Sequence, residues 1–421
     1  MINDIKKYCF PENLSENYLD IKNYVRYTYV SLHLCPYRDS DVQKIDFTKF
    51  NEEVAKAWTA FDTRKPIRVP VLLSLGYRIC ILDKNLNKNG ISWQQVIDDP
   101  ELMFKEQLRF QYYIRHNIPQ DIEMGVPQMW PVSVDFGNVV ESEWFGCDVK
   151  YPSDQVAVTD HAHMGDKKNA IFDLTLDPFS GSMQKFRQFY DYFLDIAKGY
   201  EFHGRPVKVA PPAMMGTDGI FTLAFNLRGP ELLEDMLLDP DYYHKLMNFI
   251  TNAVITRIKA WRKLYPVEQT KTGFFSDDCI QFLSVDSYNT HVLSYHKKYL
   301  KEIFGDKPIR MHLCGDVQRH FLTLIKNLNV VNFDTGFPIN WSTLRDEIGP
   351  DILIEGGVPI MDLSCKDSDF VKNSAIKILK SGIMKGGLFI MKEANNLPPS
   401  VPLENMWAMY NAVKEHGRYS Y

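Results

Sequence analysis

Short apolar runs recur along the chain, each followed by a longer stretch whose apolar positions fall at helical spacing. Eight such runs stand out, at 68–75, 130–135, 207–212, 272–276, 309–312, 330–334, 352–356 and 388–392. Between them lie amphipathic stretches, among them 231–265, 288–303, 317–328 and 369–381. A strand that alternates with a helix pairs parallel to the next strand through a right-handed crossover. Parallel strands are covered on both faces, which is why they read as near-continuous apolar runs. Eight of them predict an α/β fold closed as a (β/α)8 barrel rather than an open doubly wound sheet.

The first part of the chain follows another pattern. Residues 1–65 read as helical, with apolar positions at helix spacing over 44–63, and are expected to form a helical cap on a barrel spanning 66–421. An insert at 137–168, rich in acids, histidines and turn residues, follows the second strand. Loops after barrel strands line the active face, so this insert is a candidate lid.

Composition narrows the class. Apolar residues make up 45% and charged residues 24%, as in a globular enzyme with a sizeable core. A formal charge of -5 excludes a phosphate-tracking nucleic-acid binder, which needs a concentrated basic face. No run of about 18 apolar residues suggests a membrane span. The first twenty residues are too charged for a secretory signal, so a cytoplasmic location is expected. Seven scattered cysteines without a CxxC pair suggest neither a disulfide framework nor a closed structural zinc site.

Candidate chemistry lies at the carboxyl ends of the later strands. The fourth ends in Ser276-Asp277-Asp278-Cys279, the fifth in His312-Leu313-Cys314-Gly315, the sixth in Asp334, the seventh in Glu355 and the eighth in Glu393-Ala394-Asn395. Ionisable groups at consecutive strand ends converge on one mouth, where barrel enzymes keep their chemistry. Asp277, Asp278 and Glu355 are the candidate catalytic acids. His312 and Cys314 point to the same side of an extended chain and can share one zinc through an imidazole nitrogen and a thiolate. A buried thiol beside a core histidine is the competing reading. A catalytic zinc takes three protein ligands and keeps one open position, and Asp334 or Glu393 is the candidate third ligand. Cys279 and Cys365 rank below them. His161 and His163, in the polar insert, read as solvated groups or substrate contacts. His203, His244, His291, His296, His320 and His416 read as surface groups. Met214, Met215, Phe221 and Phe225 suit either a pocket floor or the core.

Several motifs resemble the uroporphyrinogen decarboxylase superfamily across roughly the whole barrel. They are Gly219-Ile-Phe-Thr-Leu-Ala224, Leu227-Arg-Gly-Pro-Glu-Leu232 with Asp239-Pro240, His312-Leu-Cys-Gly315, and Leu397-Pro-Pro-Ser-Val-Pro402 with Glu404-Asn405-Met406. The decarboxylase proper carries an arginine-rich motif after its first strand; here that region offers only Arg78. One arginine cannot pair several substrate carboxylates bidentately. The resemblance therefore favours the superfamily's methyltransferase branch, with metal-free decarboxylation of a tetrapyrrole as the alternative and a non-catalytic corrinoid or tetrapyrrole carrier as a third. Membership in that branch implies zinc, a methyl ether, amine or thiol as small-molecule donor or acceptor, and a corrinoid on a partner protein. Asp277 or Asp278 would orient or protonate the leaving group, and Arg78, Met215 and Asn395 would face the substrate. The branch typically holds zinc with a cysteine after the eighth strand; Asn395 stands there instead. Homodimerisation is left open.

Overall fold

The computed structural model describes residues 47–152, 155–159, 164–165, 168–268 and 270–420. Seven strands and one extended segment take up the eight expected places. Five strands, Gly273–Ser276, Ile309–Leu313, Val330–Thr335, Leu353–Pro359 and Phe389–Ala394, form one parallel sheet in chain order. Trp130–Val132 pairs parallel with Arg205–Val209 in a second sheet. The segment 68–73 supplies the first stave: Val71 bridges Met391 in parallel, and Leu72 N–H donates to the Met391 carbonyl at 3.0 Å. Helices follow the strands, and the whole is a (β/α)8 barrel.

The helical pattern was longer than the helices it produces. The 231–265 stretch is two helices, Glu231–Leu238 and Pro240–Leu264. Between them the Asp239 carboxylate accepts from Tyr242 N–H, and proline takes the first helical position, where its missing N–H costs nothing. Strand alternation sets the two faces of the sheet. Met311, Phe333 and Ile354 face the helix layer, where Phe333 stacks on Phe321 with ring centroids 4.1 Å apart. Arg310, His312, Asn332, Asp334, Glu355 and Lys392 occupy the opposite, interior face.

The barrel floor is apolar. Helix Thr48–Asp62 sets Phe61 and Trp58 against Leu388, Ile390, Leu72 and Leu353, near the amino ends of the strands. Of the expected cap only this part falls within the described residues, and it lies opposite the mouth. Above it, Arg68 and Asp121 form a buried two-point pair at 2.5 and 2.6 Å, and Asp121 also accepts from Val71 N–H. The 137–168 insert is not a loose polar loop in its first part. Val140–Trp144 is helical, and Val139, Glu141, Phe145 and Cys147 are buried. Val149–Lys150 and Val158–Thr159 then pair antiparallel. No helix among the described residues is long and apolar enough to cross a membrane.

Candidate metal centre

One group of metal-capable side chains forms among the described residues: Asp278, His312 and Cys314, whose ligand atoms lie within 4.8 Å of one another. His312 ends its strand pointing inward, and its Nε2 lies 3.2 Å from Cys314 Sγ. Asp278 reaches across from the neighbouring strand and accepts the Cys314 amide hydrogen at 2.7 Å. Gly315 follows with φ of 75°, the left-handed region, and a Cβ there would lie 1.9 Å from the Gln281 side chain. Only glycine allows the chain to turn away directly after Cys314.

The two nitrogens of His312 have different tasks. Nδ1 lies 3.1 Å from Asp334 Oδ2. A carboxylate only accepts, so Nδ1 carries a hydrogen and Nε2 is the nitrogen turned toward the thiol. Asp334 is itself held by Lys392 at 2.5 Å and Arg310 at 3.1 Å. Burial alone would raise its carboxyl, but the His312 hydrogen bond and the Lys392 ammonium outweigh that and hold it well below the ordinary carboxylate range. Burial pushes the Asp278 carboxyl up against the opposing pull of His312, and burial with Asp278 alongside pushes the Cys314 thiol up.

These donors suit a zinc ion. Nitrogen, sulfur and oxygen are all acceptable to it, and around tetrahedral zinc such atoms sit about 3.3–3.8 Å apart, comparable with the 3.2 Å between His312 Nε2 and Cys314 Sγ. Asp278, His312 and Cys314 would hold the ion and leave a fourth position toward the mouth.

Several expected roles change. Asp334 meets His312 at Nδ1, the nitrogen away from Cys314, and it is Asp278 that stands with His312 and Cys314 in the candidate group. Glu393 is one residue on from Lys392 and therefore on the other pleat; fully buried, it accepts from Ser74 N–H at 3.0 Å. Burial, only partly offset by Lys392, pushes its carboxyl up to about 8, and its Oε2 has no partner among the described residues. Asp277 is inaccessible: its oxygens accept from Phe221 and Thr222 amides, the Thr222 hydroxyl and His296. It caps a helix rather than meeting a leaving group. Glu355 is engaged by Arg310 at 2.7 and 2.9 Å and by Asn332. Arg78 lies 3.3 Å from Asp135. Met214, Met215 and Phe221 are buried in the core. His296 and His320, expected at the surface, have no exposure at all. His161 and His163 lie outside the described residues. Asn395, at φ of 89°, does reach the centre: its Oδ1 accepts from the Cys314 thiol at 2.9 Å.

One group at the mouth had no signal in the pattern of residues. Asp218 follows the third strand, and burial together with Glu141 and Asp278 pushes its carboxyl up to about 7. Its placement depends on Glu141 and Arg257, far apart in sequence and joined only by folding.

The class is an α/β barrel with a nitrogen, a sulfur and an oxygen donor converging at its carboxyl mouth. The family model for uroporphyrinogen decarboxylase (URO-D) matches residues 55–416, and the chain belongs to that family. Among solved structures the fold is similar to that of a methyltransferase from Methanosarcina mazei, with TM-score 0.57 and 17% identity over 86% of this chain and 98% of that one. No curated protein matches the chain.

Proposed function

We propose that this chain is a zinc-dependent methyltransferase, moving a methyl group between a small methylated substrate and a corrinoid carried by a partner protein. The observation that supports it is the convergence of Asp278, His312 and Cys314 within 4.8 Å at the barrel mouth. When bound there, zinc supplies a Lewis acid for the heteroatom that gives or receives the methyl group. The chain's own residues do the rest. Asp334 holds the His312 ring with Nε2 toward the ion, and Lys392 and Arg310 hold Asp334. Asn395 fixes the direction of the Cys314 sulfur. A carboxylate ligand in place of a third sulfur makes the site harder, which suits an oxygen- or nitrogen-linked methyl donor as well as a thiol.

Decarboxylation of a polyanionic tetrapyrrole is less well supported. Arg78 is engaged by Asp135, and Asp218 and Asp278 at the mouth offer the carboxylates of such a substrate no positive partner.

Metal analysis of protein purified without added zinc, beside His312→Ala and Cys314→Ala, tests the reading. About one zinc per chain is expected in the wild type and none in either variant, with circular dichroism unchanged. Demethylation of candidate donors is then followed as conversion of added cob(I)alamin to methylcobalamin. A metal-free wild type that still transfers methyl groups overturns the zinc assignment, and a zinc-loaded protein that instead decarboxylates uroporphyrinogen overturns the methyltransferase reading.

A further inference from the structure

We propose that Asp218 selects the substrate, and that the substrate it selects carries a positively charged nitrogen; this rests on the methyltransferase reading of the same mouth. Asp218 sits in the loop after strand Arg205–Val209, and that loop is held from below by an ion pair closed to solvent. Arg257 donates to Glu141 Oε1 and to the Gly216 carbonyl, each at 2.6 Å. The other Glu141 oxygen accepts from the Thr217 hydroxyl at 2.9 Å and from the Asp218 amide at 2.7 Å. On the far side, Gly219 lies so close to the next strand end that a Cβ would come within 2.7 Å of Asp277 Cα. The main chain is therefore fixed on both sides of Asp218, one residue from the approach to the Asp277–Asp278 turn.

What this scaffold presents is a carboxylate with no hydrogen-bonding or ion-pairing partner among the described residues, Arg257 and Arg78 acting on it only through space. Asp135 is paired by Arg78, Glu141 by Arg257, Asp334 by Lys392 and Glu355 by Arg310. Asp278 is matched once a cation lies among the three donors. No donor among the described residues meets the Asp218 side chain, although its own backbone amide is bonded. A buried arginine–glutamate pair is a costly way to hold a loop in place, and here it fixes the backbone that carries this carboxylate, near enough to Asp278 for the two to repel. An anionic substrate would be repelled there, and a neutral one would desolvate the carboxylate without answering it. An ammonium nitrogen satisfies it.

The test compares choline with 3,3-dimethylbutan-1-ol, which has the same shape with carbon in place of the charged nitrogen. Binding of each to the full chain is measured by calorimetry, with zinc content determined on the same samples. The wild type is expected to bind choline at least about tenfold more tightly, Asp218→Asn to lose that preference and Asp218→Glu to keep part of it. Equal affinities in the wild type, binding of neither compound, or a preference that survives in Asp218→Asn overturns the proposal. The zinc measurement separates the two claims. A zinc-free protein with an Asp218-dependent preference overturns only the metal assignment, whereas a zinc-loaded protein without the preference overturns only this one.

Discussion

Replacing Asp334 by Asn tests whether the barrel interior sets the chemistry of the metal centre. The carboxylate accepts from three groups: His312 Nδ1 at 3.1 Å, Arg310 at 3.1 Å and Lys392 at 2.5 Å. An amide offers one oxygen and one NH2. With the oxygen kept on Lys392, the NH2 faces His312, and the ring answers by accepting at Nδ1 and carrying its hydrogen on Nε2. That is the tautomer that cannot bind a metal through Nε2. Loss of a partner behind a ligating histidine typically weakens zinc about 10–100-fold, equivalent to about 1.4–2.7 kcal/mol, and the enforced tautomer places this variant at the upper end. The same change leaves Lys392, with only 4% of its side chain exposed, without its anion, which costs about 3–5 kcal/mol of stability. Zinc affinity is read by competition with a chromophoric chelator at a temperature where the variant is folded, and stability by urea titration. Wild-type zinc affinity in a folded, destabilised Asp334→Asn would refute the reasoning, because His312 would then owe nothing to the group behind it.

Three further outcomes are expected. Asp121→Ala strands the buried Arg68 and should cost about 3–5 kcal/mol in urea unfolding with no change in zinc affinity, since the pair lies far from the mouth. Glu393 has a raised native pKa of about 8 against about 4.3 unfolded, so its native form is neutral while the unfolded chain is ionised; stability is full below about pH 4.3 and falls as pH rises toward 8. Glu393→Gln removes that slope, and its stability relative to wild type should improve by on the order of 1–3 kcal/mol between pH 5 and pH 8.5; an unchanged difference across that range would count against it. Asn395→Cys places a second sulfur where an oxygen now lies 2.9 Å from Cys314 Sγ. Under reducing conditions it should bind zinc more tightly and lose activity on oxygen-linked donors, because added thiolate charge weakens the Lewis acid. Unchanged zinc affinity would place residue 395 outside the centre.

The barrel was legible because parallel strands covered on both faces leave runs such as 330–334 and 352–356 that no surface element would carry. Parity along a strand also marked His312 and Cys314 correctly as neighbours on one side. It could not say what lies across from them. Asp277 and Asp278 follow the end of their strand, where a tight helical turn replaces alternation, so nothing in the spacing tells which of the two reaches Cys314 and which is consumed as a helix cap. Asp334 has the right parity for a ligand, but register sets it beside His312 at Nδ1, the nitrogen away from Cys314. Glu393 fails on parity itself, since Lys392 occupies the interior face. Glu141, Asp218 and Arg257 gave no signal because their relation is purely tertiary. His296 was misread as a surface group because its helix looks amphipathic, while its partner Asp277 is distant in pattern though close in space.

The five-stranded sheet has a mechanical consequence. Asp278, His312, Cys314 and Asn395 all belong to strands, or to the turns directly after them, in that one continuous hydrogen-bonded sheet. Asp135 and Asp218 follow strands of the other sheet, which has three strands. The mouth is thus walled by one continuous sheet on one side and a separate sheet on the other, with the two brought into contact where Gly219 meets Asp277. The donor atoms of the candidate centre keep their mutual spacing because a single sheet carries them. A substitution in Trp130–Val132 or Arg205–Val209 should therefore alter the opposite wall of the mouth before it alters the spacing of Asp278, His312 and Cys314.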